Sequence, residues 1–137
     1  FGLNFRMCDV EAAILRQQIK KLNKYVKRRN IIAKRYTDKL KQYYRVQLIP
    51  DYCTSNYFFY GILTNKLIRD KLAQYLLDNG IQVKCWTAIH KQELWKKDNL
   101  PIATWLSDGV ILLPIHNNIT NSDVDYIIKK CIDFWHK

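Results

Sequence analysis

The chain has 137 residues, a net charge of +11 at pH 7 and four cysteines. That length sets one domain with a modest core, and no stretch is long and apolar enough to span a bilayer. The cysteines have no Cys-x-x-Cys pair and do not group with His90, His116 or His136 at metal-ligand spacing, which argues against zinc and disulfides and for free, buried thiols in the cytoplasm.

Residues 1–7 alternate apolar Phe1, Leu3, Phe5 and Met7 with Gly2, Asn4 and Arg6, a period of two that predicts an extended segment with one buried face. The other face pairs an amide with a guanidinium two residues on, a combination suited to a phosphate or carboxylate. Asp9 is the expected N-cap of a helix, with Glu11 in its first turn. From there to about Tyr44 no Pro or Gly intervenes. Leu15, Ile19, Leu22, Val26, Ala33, Tyr36, Leu40 and Tyr43 recur at steps of three and four, with Arg29 filling one slot, a narrow apolar stripe expected to pack on a sheet.

Residues 1–50 hold 13 Lys/Arg against 3 Asp/Glu, so nearly all of the positive charge sits on this first helix. A solvated lysine-rich face explains it more simply than nucleic-acid binding, since no recognised nucleic-acid motif accompanies it.

Leu48 to Tyr52 reads as a turn around Pro50. Tyr57–Leu63 is aromatic and β-branched and predicts a strand. Thr64 or Asn65 caps a second helix that Gly80 stops. Ile81–Trp86 alternates as a short strand, and Thr87 to Asn99 is a polar loop around His90, Gln92 and Trp95. Pro101 starts a short helical turn, Gly109–Pro114 is a further strand, and Thr120 with Asp123 resembles a capping box opening a final amphipathic helix. The order predicts one α+β domain over residues 1–137: a long N-terminal helix and a three- or four-stranded sheet covered by helices.

Gly2-x-Asn4-x-Arg6-Met7, followed by an acidic position and Ala12-Ala13, resembles the segment that opens the C-terminal domain of the DegT/DnrJ/StrS sugar-nucleotide aminotransferases, fold-type I enzymes that use pyridoxal 5'-phosphate. Further landmarks follow in order across the chain: Arg29, Ala33 and Tyr36; Ser55 before the aromatic strand; Leu76, Gly80 and Ile81; Leu100-Pro101; Leu113-Pro114.

The resemblance implies the small C-terminal domain of such an enzyme, with the large domain and its cofactor lysine outside this chain, and therefore no catalysis by this chain alone. It implies transfer of an amino group from a donor, usually glutamate, to a keto sugar linked to a nucleotide, most often for surface polysaccharide or glycan precursors. Asn4, with Arg6 nearby, matches the position that reaches the phosphate of pyridoxal phosphate across a homodimer. His90 and Gln92 match a His-x-Gln loop that approaches the sugar nucleotide. The family's usual Tyr-Pro pair is missing from that loop, with Trp86 and Thr87 standing nearby. No catalytic residue and no metal ligand is assigned. Two alternatives are a stand-alone basic binding module and a degenerate dimerisation scaffold.

Overall fold

In a computed structural model the described residues are 6–93 and 99–136. Helix α1 spans Asp9–Leu40, strand β1 Arg45–Val46, strand β2 Tyr60–Leu63 and helix α2 Lys66–Asp78. Helix α3 spans Pro101–Gly109, strand β3 Val110–Leu113 and helix α4 Asn121–Asp133. Single 3-10 turns cover Ile89–Lys91 and Phe134–His136. The strands form one antiparallel sheet in the order β1-β2-β3, with Arg45 opposite Leu63 and Tyr60 opposite Leu113.

The alternation of side chains across a strand divides the sheet into two faces. Tyr60, Ile62, Ile111 and Leu113 point into the core. There they join Ile32, Ala33, Tyr36 and Leu40 of α1, Leu72 and Leu76 of α2, and Val124, Ile127, Ile128 and Cys131 of α4. The polar ends of the buried rings find partners: the Tyr36 hydroxyl donates to the Pro114 carbonyl at 2.9 Å and that of Tyr44 to the Cys131 carbonyl at 2.6 Å. The alternate residues Gly61, Leu63, Val110 and Leu112 face away from α1, α2 and α4 and form the floor of a cleft.

The predicted α+β class and helix-covered sheet are what the structure shows. Asn65 caps α2 by accepting from the Ile68 amide, Gly80 follows the helix with φ +74°, and Thr120 and Asp123 form the reciprocal box ahead of α4.

Four local expectations change. Cys8 rather than Asp9 takes the N-cap position of α1, and its amide donates to the Glu11 carboxylate at 3.0 Å. The strand expected from Tyr57 starts at Tyr60, because the Ser55 hydroxyl and the Asn56 amide oxygen accept the Tyr57 and Phe58 amides and hold that stretch in turns. Ile81–Trp86 contributes a single bridge, Lys84 to Leu112. Three of the four cysteines, Cys8, Cys53 and Cys85, are exposed, and only Cys131 is buried.

The apolar stripe of α1 is buried over only its second half. Ile14, Leu15, Ile19 and Leu22 are exposed, whereas Ala33, Tyr36 and Leu40 are fully covered. Arg28 and Arg35 fasten the covered half to α4. The Arg28 guanidinium donates to the Asn121 side chain and the Ile119 carbonyl, at 2.9 and 2.7 Å, and Arg35 pairs with Asp125.

Candidate functional site

The outer face of the sheet forms a cleft of about 650 Å³, within the size range of small-molecule sites. Its floor is Gly61, Leu63, Val110 and Leu112. One wall is Phe59 with Trp86, whose rings meet edge to face at 4.5 Å, and the other is Ala103, Leu106 and Ser107 of α3. Arg45 stands at the rim with its guanidinium 5.6 Å from the Trp105 ring, and the Lys84 ammonium lies 5.2 Å from the Trp86 ring, both cation–π distances.

Residues 84–92 cross from this cleft to α3. Trp86, Thr87, Ala88 and Ile89 line the cleft, after which the 3-10 turn carries His90 and Lys91 against the helix. The Ala88 amide donates to the Ser107 hydroxyl at 3.1 Å. His90 Nε2 lies 2.7 Å from the Thr104 hydroxyl. The Lys91 ammonium donates to the Asp108 carboxylate at 2.5 Å, and this contact, reinforced by Lys66 and Arg69, holds the carboxyl below its ordinary range. The helix is itself secured: the Arg69 guanidinium donates to the Ser107 carbonyl at 3.0 Å.

His90 is therefore half-buried and already engaged through one ring nitrogen, while Gln92, two residues on, is exposed. The structure brings His90 to the α3 side of the loop and leaves Gln92 on the surface. Asn4 and Trp95 lie outside the described residues. Arg6 is exposed and precedes the N-terminus of α1. Its guanidinium has the chemistry to bind a phosphate oxygen, but among the described residues it lines none of the larger clefts. The described residues thus fit an edge of a cofactor site rather than its body. Among them no three His, Cys, Asp or Glu side chains gather as a metal site, and no helix is long and apolar enough to cross a membrane.

The polar residues Thr104, Ser107 and Asp108 escape a reading of the sequence that sees only Ile102 and Trp105 on a short turn. Their spacing of three and four, on one helix face, was the signal available. Arg45 is missed as well, because β1 is only two residues long.

An antiparallel three-stranded sheet with α1, α2 and α4 on one face and an open cleft walled by α3 on the other is the architecture of part of an aminotransferase. The aminotransferase TlmJ from Streptoalloteichus hindustanus matches 99% of this chain with a TM-score of 0.90 and 29% identity, over 38% of its own length. A DegT DnrJ EryC1 StrS aminotransferase from Brucella abortus matches all of the chain with a TM-score of 0.89 and 28% identity, again over 38% of its length.

In sequence, the DegT/DnrJ/EryC1/StrS aminotransferase family profile matches residues 1–131. The chain belongs to that family. A dTDP-4-dehydro-2,3,6-trideoxy-D-glucose 4-aminotransferase of Saccharopolyspora spinosa is 31% identical over 121 residues, covering 85% of this chain and 31% of the relative. A dTDP-4-amino-4,6-dideoxy-D-glucose transaminase of Escherichia coli is 28% identical, covering 93% of this chain and 38% of the relative. The chain spans about a third of the length of these curated relatives.

Proposed function

We propose that this chain is the C-terminal domain of a pyridoxal phosphate-dependent aminotransferase that moves an amino group from glutamate to the keto group of a nucleotide-linked sugar. The observation that carries the reading is the family match over residues 1–131, together with a length about a third that of the relatives. Both named relatives act on dTDP-linked hexoses, which makes a dTDP-4-keto-hexose the first substrate to assay.

Pyridoxal phosphate, when bound, supplies the electron sink for the transfer. The covalently linked lysine and the pyridine-pairing carboxylate belong to a segment outside these residues, so the chain by itself is not catalytic. Its own contribution is binding and orientation. Asn4 and Arg6 donate to the cofactor phosphate of a homodimer partner. His90, through the ring nitrogen that Thr104 does not engage, and Gln92, through its exposed amide, orient the sugar nucleotide.

The test is the protein encoded by the intact gene. Its absorbance is recorded before and after borohydride, and its amination of a dTDP-4-keto-hexose is followed with glutamate as donor. A yellow band lost on reduction, with amino sugar formed, is the expected result. A colourless protein that forms no product overturns the proposal. Within an active enzyme, His90→Ala is expected to raise KM for the sugar nucleotide about tenfold, the equivalent of one hydrogen bond to a charged or polar ligand. An unchanged KM removes His90 from the substrate site.

The basic-module alternative gains little from the charge on α1. Arg28 and Arg35, two of its cations, are spent on holding α4.

A further inference from the structure

We propose that the polar face of α3, made of Thr104, Ser107 and Asp108, is a template that sets the shape of the loop from Trp86 to Gln92 and fixes which nitrogen of His90 faces a ligand. These three are positioning residues. The consequence for substrate rests on the reading of His90 given above, whereas the template itself does not.

The three side chains sit at relative positions 1, 4 and 5 of one helix and so project from one side of it. Each takes a different kind of partner from a run of four loop residues. Ser107 receives a backbone amide at Ala88, Thr104 an imidazole nitrogen at His90, and Asp108 an ammonium at Lys91. Such a set favours one register: a backbone amide can meet Ser107 at any position, but only the observed register gives Thr104 the imidazole and Asp108 the ammonium. Inside the loop the backbone makes only two turn bonds, from Lys91 to the Ala88 carbonyl and from Gln92 to the Ile89 carbonyl. Its path is therefore specified mainly from outside.

The platform is firm. Pro101 opens α3, Arg69 holds the Ser107 carbonyl, and Gly109 closes the helix against Thr64. Trp86 and Thr87, ahead of the bonded positions, and Ile89, between them, line the cleft instead. The same loop thus serves both the cleft and the helix. Because Thr104 engages Nε2, Nδ1 is the nitrogen with no hydrogen-bond partner among the described residues. A ligand group is read by that atom, because the Thr104 hydroxyl, which can donate or accept, occupies Nε2 in either tautomer.

The experiment uses the protein encoded by the intact gene, as wild type and as Thr104→Val, Thr104→Ser and Asp108→Asn. Amide exchange is followed by mass spectrometry in peptides covering residues 86–92 and, as control, β2. Valine removes the hydroxyl tie and asparagine the charge that strengthens the Lys91 tie; valine is expected to speed exchange of the loop peptide about tenfold and asparagine severalfold, with β2 unchanged. Serine keeps the hydroxyl and is expected to restore the slow rate. In the active enzyme, Thr104→Val is expected to raise KM for the sugar nucleotide severalfold while kcat stays within about twofold. Loop exchange as slow in Thr104→Val and Asp108→Asn as in wild type overturns the template. Faster loop exchange combined with a His90→Ala enzyme of normal KM supports the template and overturns the substrate role of His90.

Discussion

Gly109 is where α3 ends and β3 begins, and it touches the backbone of the β2–α2 connection. A Cβ built there would stand 2.1 Å from the Thr64 carbonyl oxygen, 2.9 Å from Leu63 Cδ1 and 3.2 Å from the Thr64 carbonyl carbon. An ordinary carbon–oxygen contact is about 3.3 Å or more, so Gly109→Ala must open this contact by more than about 1 Å. The obstacle is backbone, which cannot rotate aside as a side chain would. The hydrogen bond from the Thr64 amide to the Gly109 carbonyl, 3.0 Å long, is stretched at the same time.

Overpacking costs about 1–3 kcal/mol and the strained hydrogen bond about 1 more, for an expected loss of about 3 kcal/mol. With a urea m-value of about 1.5 kcal/mol/M, the unfolding midpoint falls by about 2 M. Gly80 supplies the contrast. It has φ +74° but nothing within 4 Å of a built Cβ, so Gly80→Ala bears only left-handed strain, about 1 kcal/mol. Equilibrium urea unfolding followed by circular dichroism measures both. A Gly109→Ala midpoint no lower than that of Gly80→Ala would refute the argument from close approach.

Three further outcomes are expected. Burial raises the Tyr36, Tyr44 and Tyr60 phenols, Tyr60 to about 12 and the other two further, against about 10 unfolded. The folded state then keeps protons that the unfolded state releases, so stability is intact below pH 10 and falls from pH 10 to 12 by about 4 kcal/mol per pH unit for the three. Tyrosinate absorbance at 295 nm should lag until unfolding, and early titration of these three with the fold intact would contradict their burial. Replacing Ile19 and Leu22 by glutamate is expected to reduce self-association of the isolated chain in light scattering without lowering its urea midpoint, since both are exposed; a lowered midpoint would place them in the core. Thr120→Ala is expected to cost about 1 kcal/mol in the same urea assay by removing the acceptor for the Asp123 amide, and no change would show that α4 is held by packing alone.

Features that depend on neighbours in sequence were legible: the Asn65 cap, Gly80 after α2, and the Thr120–Asp123 box each follow from one residue's own hydrogen-bonding or torsional preference. So was most of the inner face of α4: Val124, Ile127, Ile128 and Cys131 are buried, whereas Trp135, expected on the same face, is exposed. Periodicity was less informative about α1. It identifies an apolar stripe but not what covers it, so it does not distinguish Leu22, half-exposed, from Leu40, fully buried. Composition likewise overextended β2 back to Tyr57, where local side-chain acceptors had already claimed the amides of Tyr57 and Phe58.

For the candidate site, the motif carried His90 to notice but not its partners. Thr104, Ser107 and Asp108 lie 14 to 19 residues from the loop groups they hold, and only the fold brings them together. Arg45 reaches the cleft through strand pairing with Leu63, which a two-residue strand does not announce.

Helix α1 is clamped at Arg28 and Arg35 and bare before them, which makes it mechanically a cantilever. From Arg28 to Asp9 the rise of an α-helix amounts to about 28 Å. A rotation of only 5° about the clamp would carry the free end through about 2.5 Å, close to the length of a hydrogen bond. Angular play at the α1–α4 contact is therefore magnified at Cys8 and Arg6, and the two arginines limit it. Stiffness at that distant contact governs how accurately anything attached to the far end is placed.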